Sequence, residues 1–441
     1  MNLRKRSAAF ANYLAMGISS YRARLIVHSS FLIAAILVGI AAVYFTSFIA
    51  ILQTFNARLF VEHPYFMSAF TPVTFFLATA VVKFFAPHAG GSGVPQVLHA
   101  SSLGEDENQN VVVNGLLSIR TACIKVISTG VGLIGGASIG GEGPTVQISG
   151  SIFATFGNLI RRYFPNIDFH SYLVAAAGAG IASAFNTPLG GVVFALEEVA
   201  VGDFGELRHV VMLAVIVAGL AAQALAGDKL YFGKFILNQT PSLLLLSAVL
   251  IGIIGGLFGG LFGRIVASER LYRMKINWWQ RALICGVLVA AIDLAFDNRT
   301  AGSGYEATRD FMNDSDTRIS FLFPLGKLLA TALSTLSGMG GGILAPSLSI
   351  GAFLGVSTGQ LALLLDLKVC ALLGMVAYFT GAFQIPMTAV IVVMETTGQH
   401  DLIIPMMVAA LAAFLSTRVV MPVPLYHVLI KRSFSKKTLS D

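Results

Sequence analysis

The sequence predicts an all-α membrane protein that crosses the bilayer many times. Of its 441 residues, 56% are hydrophobic and only 12% are charged, whereas soluble domains carry about 25% charged residues. Runs of about 20 apolar residues are long enough to cross a bilayer as helices. Seven such runs stand out, at 29–52, 67–84, 111–135, 210–226, 243–266, 281–296 and 402–419.

Glycine and proline interrupt much of the apolar sequence. The chain contains 45 glycines and 14 prolines, and they fall largely inside apolar territory. Irregular backbone at membrane depth is tolerated only where protein or a water-filled cavity surrounds it. The sequence therefore predicts packed helices, several of them broken, with ends that lie inside the protein.

An internal repeat divides the chain into two halves. At a constant offset of 202 positions, five residues of the first half have identical mates in the second, namely Lys125, Thr129, Gly136, Gly140 and Pro144 with Lys327, Thr331, Gly338, Gly342 and Pro346. Further on the offset becomes 198, where residues 184–188 match 382–386 and Glu197 matches Glu395. A repeat of this length is typical of duplicated transporter halves, and inverted halves would bring matching broken helices together at the membrane midplane.

The repeat predicts four regions along the chain. A basic N-terminal segment covers 1–28, the first membrane repeat covers 29–226 and the second covers 227–430. A short basic tail occupies 431–441. Basic residues collect at both ends, which by the positive-inside rule places both termini in the cytoplasm and predicts an even number of crossings. The net charge of +7 is explained by these ends and does not indicate nucleic-acid binding.

Glu142 is the most unusual residue, because it places a carboxylate between two long apolar runs. It follows Gly140 and Gly141 and precedes Gly143 and Pro144, a break that is typical of a helix start. A carboxylate in lipid is costly and is a functional hypothesis by default. A helix N-terminus suits either a soluble anion or this carboxylate, because it offers unbonded N–H groups and a positive dipole end. We therefore expect Glu142 to act as a gate.

Two other glycine-rich segments complete a predicted anion cradle. Ser92 and Gly93 lie in the motif GSGVP at 91–95, where Ser92 can donate through its hydroxyl, although an ordinary helix cap is its commoner role in isolation. The glycine run before Leu344 is the repeat mate of the segment that contains Glu142. Leu344 occupies the position of the carboxylate, so the second half offers only backbone donors.

Charged side chains near the ends of apolar runs have two interpretations each. Glu197 and Glu198 end the run 189–196, where a carboxylate is either an interface charge that pairs with a base or the point at which protons enter. Lys125 and Lys327 either contribute positive potential near the site or extend to the membrane interface. For the glutamates and for the lysines, the sequence leaves both interpretations open.

Tyr426 is the last candidate donor. It follows the final long apolar run, in the motif PLY at 424–426. Its hydroxyl can donate to an anion, although a tyrosine of the interfacial belt is the commoner case.

Enzyme chemistry is not indicated. Residues 136–140 fit the serine nucleophile elbow of hydrolases around Ser138, but no His–Asp partnership accompanies it and the motif belongs to the repeat. Zinc, phosphate-loop and dinucleotide signatures are missing from the sequence. Cys123, Cys285 and Cys370 occur singly in apolar segments and are predicted to be small core residues. The sequence therefore predicts neither a metal nor a cofactor.

These motifs resemble the CLC family of chloride channels and chloride/proton antiporters. The resemblance covers nearly the whole chain, with GSGVP at 91–95, GGEGPTVQ at 140–147, a match at 184–191, GGILAP at 341–346 and PLY at 424–426. It implies a homodimer with one anion pathway per subunit, in which each subunit has two inverted halves around a midplane anion site. The chain resembles prokaryotic members of the family without cytoplasmic regulatory domains, which implies a bacterial inner membrane.

The resemblance implies a role for each matching residue at the anion site. Ser92 and Tyr426 would supply hydroxyl groups to a central chloride, and backbone N–H groups of Ile343 and Leu344 would supply the rest. Glu142 would occupy the outer anion site when ionised and swing away when protonated. The full predicted anion-binding set is Ser92, Gly93, Gly141, Glu142, Gly143, Ile343, Leu344 and Tyr426.

The resemblance also implies how protons move. Glu142 and Glu198 would be the two proton-transferring glutamates, with Glu198 on the inner side as in antiporters of the family. The expected function is exchange of chloride for protons across a membrane, with bound chloride as substrate and no cofactor. The alternative is a passive voltage- or pH-gated chloride channel of the same fold. Gly141 keeps that alternative open, because relatives usually carry Lys or Arg before the gating glutamate.

Overall fold

The computed structural model describes residues 3–103, 107–165, 167–199, 207–227, 230–232, 241–272, 275–313, 320–362 and 366–434. Within these ranges the secondary structure is helical, and β-type pairing is confined to two isolated bridges. The α-helices are α1 Leu3–Glu62, α2 Pro64–Phe85, α3 Val94–Ser102, α4 Glu107–Leu116, α5 Ile119–Ile134, α6 Glu142–Arg161, α7 Phe169–Phe185, α8 Pro188–Phe194, α9 Arg208–Ala226, α10 Pro241–Val266, α11 Glu269–Tyr272, α12 Trp278–Ala295, α13 Tyr305–Asn313, α14 Phe323–Leu336, α15 Leu344–Ala362, α16 Leu367–Phe383, α17 Pro386–Thr397, α18 Ile403–Val420 and α19 Leu425–Phe434.

The seven predicted apolar runs all lie in helical segments long and apolar enough to cross a membrane. One run differs in detail, because the stretch predicted at 111–135 is divided between α4 and α5. Ser118 interrupts it by capping α5, where its hydroxyl oxygen accepts a hydrogen bond of 3.2 Å from the backbone N–H of Thr121. The all-α multi-pass prediction is confirmed. Residues 1 and 2 of the predicted N-terminal segment and residues 435–441 of the predicted tail lie outside the described part of the chain.

The second half of the chain repeats the order of helices of the first. The matching pairs are α1 with α10, α2 with α12, α3 with α13, α5 with α14, α6 with α15, α7 with α16, α8 with α17 and α9 with α18. Their packing repeats as well. Helix α7 packs against α6 and α9, and its mate α16 packs against α15 and α18.

The ends of α7 and α16 show how closely the local sequence determines this repeat. Each helix begins after an aspartate, Asp168 or Asp366, whose side chain accepts a hydrogen bond from the backbone two residues later. Each ends in a left-handed residue, Asn186 with φ of 57° and Gln384 with φ of 61°. A left-handed residue ends an α-helix and turns the chain sharply. Proline then begins the next helix three residues after the mated phenylalanine in both halves.

Several segments contact their own repeat mates, which identifies a two-fold axis between the halves. Helix α2 packs on α12, and α8 packs on α17. Gly140 and Gly342 exchange two backbone hydrogen bonds of 2.8 Å each. A copy related by translation alone would hold such mates apart, whereas a two-fold rotation brings them together at the axis. The predicted fold of two related helical repeats is therefore confirmed, and a two-fold rotation relates them.

The cysteines only partly match their prediction as core residues. Cys285 and Cys370 are buried, but Cys123 is exposed on the surface of α5. Many large apolar side chains of the long helices are exposed in the same way. In a chain that spans a bilayer, lipid solvates such a surface, so an apolar position need not lie in the protein core.

Candidate functional site

Two buried hydroxyl groups, those of Ser92 and Tyr426, lie next to each other where α3 and α19 pack together. Ser92 is 4% exposed and Tyr426 is fully buried. Neither hydroxyl oxygen has a hydrogen-bond partner among the described residues. Buried hydroxyls are normally paired, so two adjacent ones without partners point to a ligand that both can bind.

Local backbone geometry places Ser92 at the start of α3. Gly91 and Gly93 on either side have φ of 70° and 109°, a region that side-chain-bearing residues rarely adopt. Gly143 allows the start of α6 to approach, since a Cβ there would lie 2.5 Å from the hydroxyl oxygen of Ser92. The predicted site residues Gly93 and Gly143 therefore permit close packing of two helix starts around Ser92.

Three helix starts converge at this point. The reciprocal bonds between Gly140 and Gly342 hold the start of α6 beside that of α15. Gly341 donates a 3.0 Å bond to the carbonyl of Gly91, which joins the segment before α3 to the same centre. The first N–H groups of a helix have no intrahelical acceptor. Ile343 and Leu344, both fully buried, lie at the start of α15, where the predicted backbone donors belong.

The Glu142 carboxylate lies at the start of α6 and is 5% exposed. Its Oε1 accepts a 3.0 Å hydrogen bond from the hydroxyl of Tyr231. The backbone groups of Glu142 and Ala345 lie near the carboxylate, and its Oε2 has no hydrogen-bond partner among the described residues. The side chain folds back over Gly140, where a Cβ would overlap Oε2. The carboxylate thus occupies the meeting point of α6 and α15.

A basic side chain at Gly141, which the resemblance leads one to expect, would displace the end of the Ile49 side chain. A Cβ at this position would overlap Cδ1 of Ile49 on α1. The sequence alone could not indicate this conflict, because Ile49 and Gly141 are distant in the chain. Tyr231, which was not predicted as a site residue, supplies a neutral donor to the Glu142 carboxylate instead.

A cavity of about 330 Å³ lies outside Glu142. We call this cavity the outer vestibule and its side of the protein the outer side. Residues from both halves line it, including Gln53, Glu142, Asn186, Tyr231, Ser303 and Tyr305. The vestibule therefore gives solutes a path to the carboxylate.

Glu198 lies near Tyr426. It belongs to a single π-type turn, Ala195–Val199, that continues α8, and such turns often occur at functional sites. Its side chain is 5% exposed, and its Oε1 lies 4.0 Å from Nδ1 of His427, whose side chain is 51% exposed. Oε1 has no hydrogen-bond partner among the described residues. His427, adjacent to Tyr426 in the sequence, was not predicted as a site residue.

Glu197 and Glu395 bind the starts of each other's short helices. Glu197 accepts bonds of 3.0 and 2.7 Å from the backbone N–H groups of Met387 and Thr388 at the start of α17. Its mate Glu395 accepts bonds of 3.2 and 2.7 Å from Leu189 and Gly190 at the start of α8. Glu197 is therefore hydrogen-bonded to the backbone of α17, whereas among the described residues Oε1 of Glu198 has no hydrogen bond.

The two repeat-mate lysines are fully buried and organise loops. Lys125 Nζ donates a 2.7 Å bond to the carbonyl of Gly91. Lys327 Nζ donates bonds of 2.7 Å to the carbonyls of Thr300 and Gly302. Extension to the membrane interface, one of the two predicted roles, is therefore wrong for both. Each lysine instead holds the backbone just before a serine, Ser92 or Ser303.

The two-fold repeat of broken helices around a buried polar centre defines a membrane transport protein. The family model described as voltage gated chloride channel matches residues 74–418. The chain belongs to this family.

Similar proteins agree with this assignment. The "H(+)/Cl(-) exchange transporter ClcA" of Vibrio cholerae is 27% identical over 400 residues, which cover 86% of this chain and 82% of that protein. The protein of the same name from Vibrio campbellii is 28% identical over 386 residues, 82% of this chain and 79% of that protein. A solved structure of "a slow cyanobacterial Cl-/H+ antiporter" has a TM-score of 0.78 at 22% identity and covers 93% of this chain and 98% of that one. A "CLC-type fluoride/proton antiporter" has a TM-score of 0.75 at 22% identity, covering 90% and 96%.

Proposed function

We propose that this protein exchanges chloride for protons across a membrane. One observation carries the proposal. Ser92 and Tyr426 carry buried, unpartnered hydroxyls; Ser92 lies against Gly143, next to Glu142, and Tyr426 lies near Glu198, and both carboxylates are buried with one unpartnered oxygen. The hydroxyl pair suits an anion, and the carboxylates suit protons. The similarity to proteins named as exchange transporters supports the same function.

Chloride would be bound mainly by neutral groups. Ser92 and Tyr426 provide O–H donors, and the starts of α6 and α15 provide N–H groups with the positive ends of their helix dipoles. Conduction requires binding strong enough for the ion to enter and weak enough for it to leave. Lys125 and Lys327 are occupied by loop carbonyls, so they do not place a full positive charge directly on the ion.

Coupling would arise from competition for one position. The ionised Glu142 carboxylate occupies the meeting point of α6 and α15, which is also where an incoming anion finds donors. A proton arriving at Glu142 neutralises the side chain, weakens its hold on these donors and lets chloride take the position. Glu198 would relay that proton from the inner side, where the His427 side chain is exposed.

A passive channel of the same fold remains the second candidate. Gly141 favours it, because no cation at that position assists the capture of an anion. Glu198 argues against it, since a channel needs no buried carboxylate on the inner side. The exchanger explains both carboxylates and is therefore preferred.

The protein is a multi-pass membrane protein, and we propose a bacterial inner membrane with both termini in the cytoplasm. Basic residues near both ends of the chain support that orientation. We further propose a homodimer in which each subunit carries its own pathway, as the family resemblance implies.

The substitution Glu142→Gln tests the proposal. Glutamine has the size of a protonated glutamate and carries no transferable proton, so the variant should conduct chloride passively without moving protons. Chloride efflux and proton uptake are measured together with two electrodes on liposomes that contain the purified variant. The exposed Glu62→Gln variant is the matched control and should behave as wild type. Proton uptake that persists in Glu142→Gln at the wild-type ratio to chloride would defeat the assignment.

A further inference from the structure

Protons that reach Glu198 need a carrier, because its carboxylate is almost completely buried. The side chain is 5% exposed, and its Oε1 is a buried atom without a hydrogen-bond partner among the described residues. His427 faces this oxygen with its Nδ1 4.0 Å away, and the His427 side chain is 51% exposed. The imidazole therefore lies between the solution and the buried carboxylate.

Glu197 is the other candidate carrier, but both of its oxygens are already bound. Its Oε1 accepts a 3.0 Å hydrogen bond from the backbone N–H of Met387. Its Oε2 accepts bonds of 2.7 Å from the backbone N–H and from the hydroxyl of Thr388. A side chain that is fixed at both oxygens cannot turn between the solution and Glu198. The exposed imidazole has that freedom.

The first turn of α19 explains the position of His427. Tyr426 and His427 are consecutive residues of this helix, and consecutive side chains of an α-helix point about 100° apart. Tyr426 is fully buried, lies beside Ser92 and stacks on Phe383 with ring centroids 5.2 Å apart. With Tyr426 directed inward, His427 is turned toward the solution. One helical turn thus carries a hydroxyl donor and, beside it, a group that can carry protons.

The elements around α19 bring few other ionisable groups to His427. Helix α19 packs against α3 and α16. The ionisable side chains of these two helices are His99 on α3 and Lys368, Cys370 and Tyr378 on α16. The lysine and the cysteine belong to the first turn of α16, and the tyrosine is fully buried. On α19 itself, Lys431 is exposed and Arg432 donates a 2.8 Å bond to the carbonyl of Val266. Glu198 is thus the carboxylate that faces the imidazole.

We propose that His427 carries protons between Glu198 and the inner solution, which is the solution on the side of His427. In the loading step, the imidazolium passes the proton on Nδ1 to Oε1 of Glu198, which leaves a neutral imidazole and a carboxylic acid. The exposed ring then turns, and Nδ1 takes up the next proton from water.

The observed geometry is close to what this transfer needs. Proton transfer requires about 2.6–3.2 Å between the two heavy atoms, or one bridging water. A rotation of the exposed His427 side chain or one water closes the 4.0 Å gap to Glu198. The inference rests on the proposed function, because it assumes that Glu198 passes protons onward.

Substitutions at His427 in the full-length protein distinguish a proton carrier from a charge partner. Glutamine has no ionisable proton, so His427→Gln should lower proton flux into liposomes by about tenfold or more and leave chloride flux in place. At about pH 5, His427→Glu should restore proton flux, because a carboxyl group exchanges protons there. His427→Lys should not restore it, since an ammonium group keeps its proton in that range. A histidine that only balanced the charge of Glu198 would give the opposite result, with rescue by lysine and none by glutamate.

The matched control is His209→Gln, which removes an exposed histidine of α9 and should keep the wild-type fluxes. Retained chloride flux shows that a variant at position 427 is folded. Three results overturn the role of His427 alone: wild-type proton flux in His427→Gln, rescue by lysine in place of glutamate, or loss of both fluxes without rescue by His427→Glu. The absence of uphill proton movement in the wild-type protein overturns the proposed function together with this inference.

Discussion

Three side chains at the centre of the protein, Ser92, Glu142 and Tyr426, are buried and each carries an oxygen atom without a partner among the described residues. An unsatisfied buried polar group costs about 1–3 kcal/mol. Three such groups within one small region are therefore expensive for the fold. Their presence is explained if a transported anion and a transported proton complete their interactions in turn.

Glu198→Ala should abolish proton movement and spare chloride movement. Glu198 lies between Tyr426 and the exposed His427, so it is placed to relay protons but does not contribute a donor to the anion. Alanine carries no proton, and the hydroxyl pair is unchanged. The measurement is simultaneous proton and chloride flux in liposomes.

The neighbouring carboxylate supplies the control for that experiment. Glu197→Gln changes a side chain that binds the backbone of α17 and has a structural role. The variant protein that folds should therefore retain coupled flux of chloride and protons. If Glu198→Ala still moves protons at the wild-type ratio to chloride, Glu198 is not on the proton path.

At the residue scale, the sequence predicts those site residues that are polar within an apolar run. Ser92, Glu142 and Glu198 are recognisable in this way, and the structure finds all three buried. Tyr231 and His427 were missed, because one aromatic or imidazole side chain near a helix end is ordinary. Their significance depends on contacts with Glu142 and Glu198 that only the folded chain creates.

At the scale of elements, the short helices α8 and α17 are each capped at the start by a glutamate from the other half of the chain. Glu395 bonds to the start of α8, and Glu197 bonds to the start of α17. A carboxylate at a helix N-terminus satisfies unbonded N–H groups and complements the dipole. These exchanged caps join the two halves near the two-fold axis.

The double variant Glu197→Gln/Glu395→Gln should therefore lower stability more than either single change. Each amide keeps one acceptor oxygen and loses the charge. We therefore expect the free energy of unfolding to fall by about 1–2 kcal/mol per site, in line with the value of about 1.5–3 kcal/mol for hydrogen bonds to charged groups. Thermal unfolding of the purified protein in detergent measures the shift. Glu62→Gln, at an exposed position on α1, is the matched control. Equal melting temperatures for the double variant and this control would contradict the exchanged caps.

The long helices were predictable from the sequence, and their breaks were only partly so. Apolar runs define the spanning segments because lipid requires about 20 apolar residues. The break at Ser118 was not predicted, since a single serine in an apolar run does not by itself end a helix. It becomes a cap only because the chain turns there and the hydroxyl accepts from Thr121.

At the scale of the whole molecule, the two-fold axis explains why the repeat produces one site with two different faces. Mates such as Gly140 and Gly342 meet at the axis, which brings the starts of α6 and α15 together from opposite halves. The carboxylate of Glu142 has Leu344 as its mate, so the gate exists on one side only. The sequence showed the repeat and this asymmetry, whereas the meeting of the mates depends on contacts about 200 residues apart.

The central claim is that chloride and proton movements are coupled in one protein. Its most direct test is a chloride gradient imposed on liposomes that contain the purified wild-type protein, with no initial pH difference. We predict that chloride leaving the liposomes drives protons inward against their rising gradient, and that the effect disappears without protein. Chloride movement with no uphill proton movement would contradict the account and identify a passive channel.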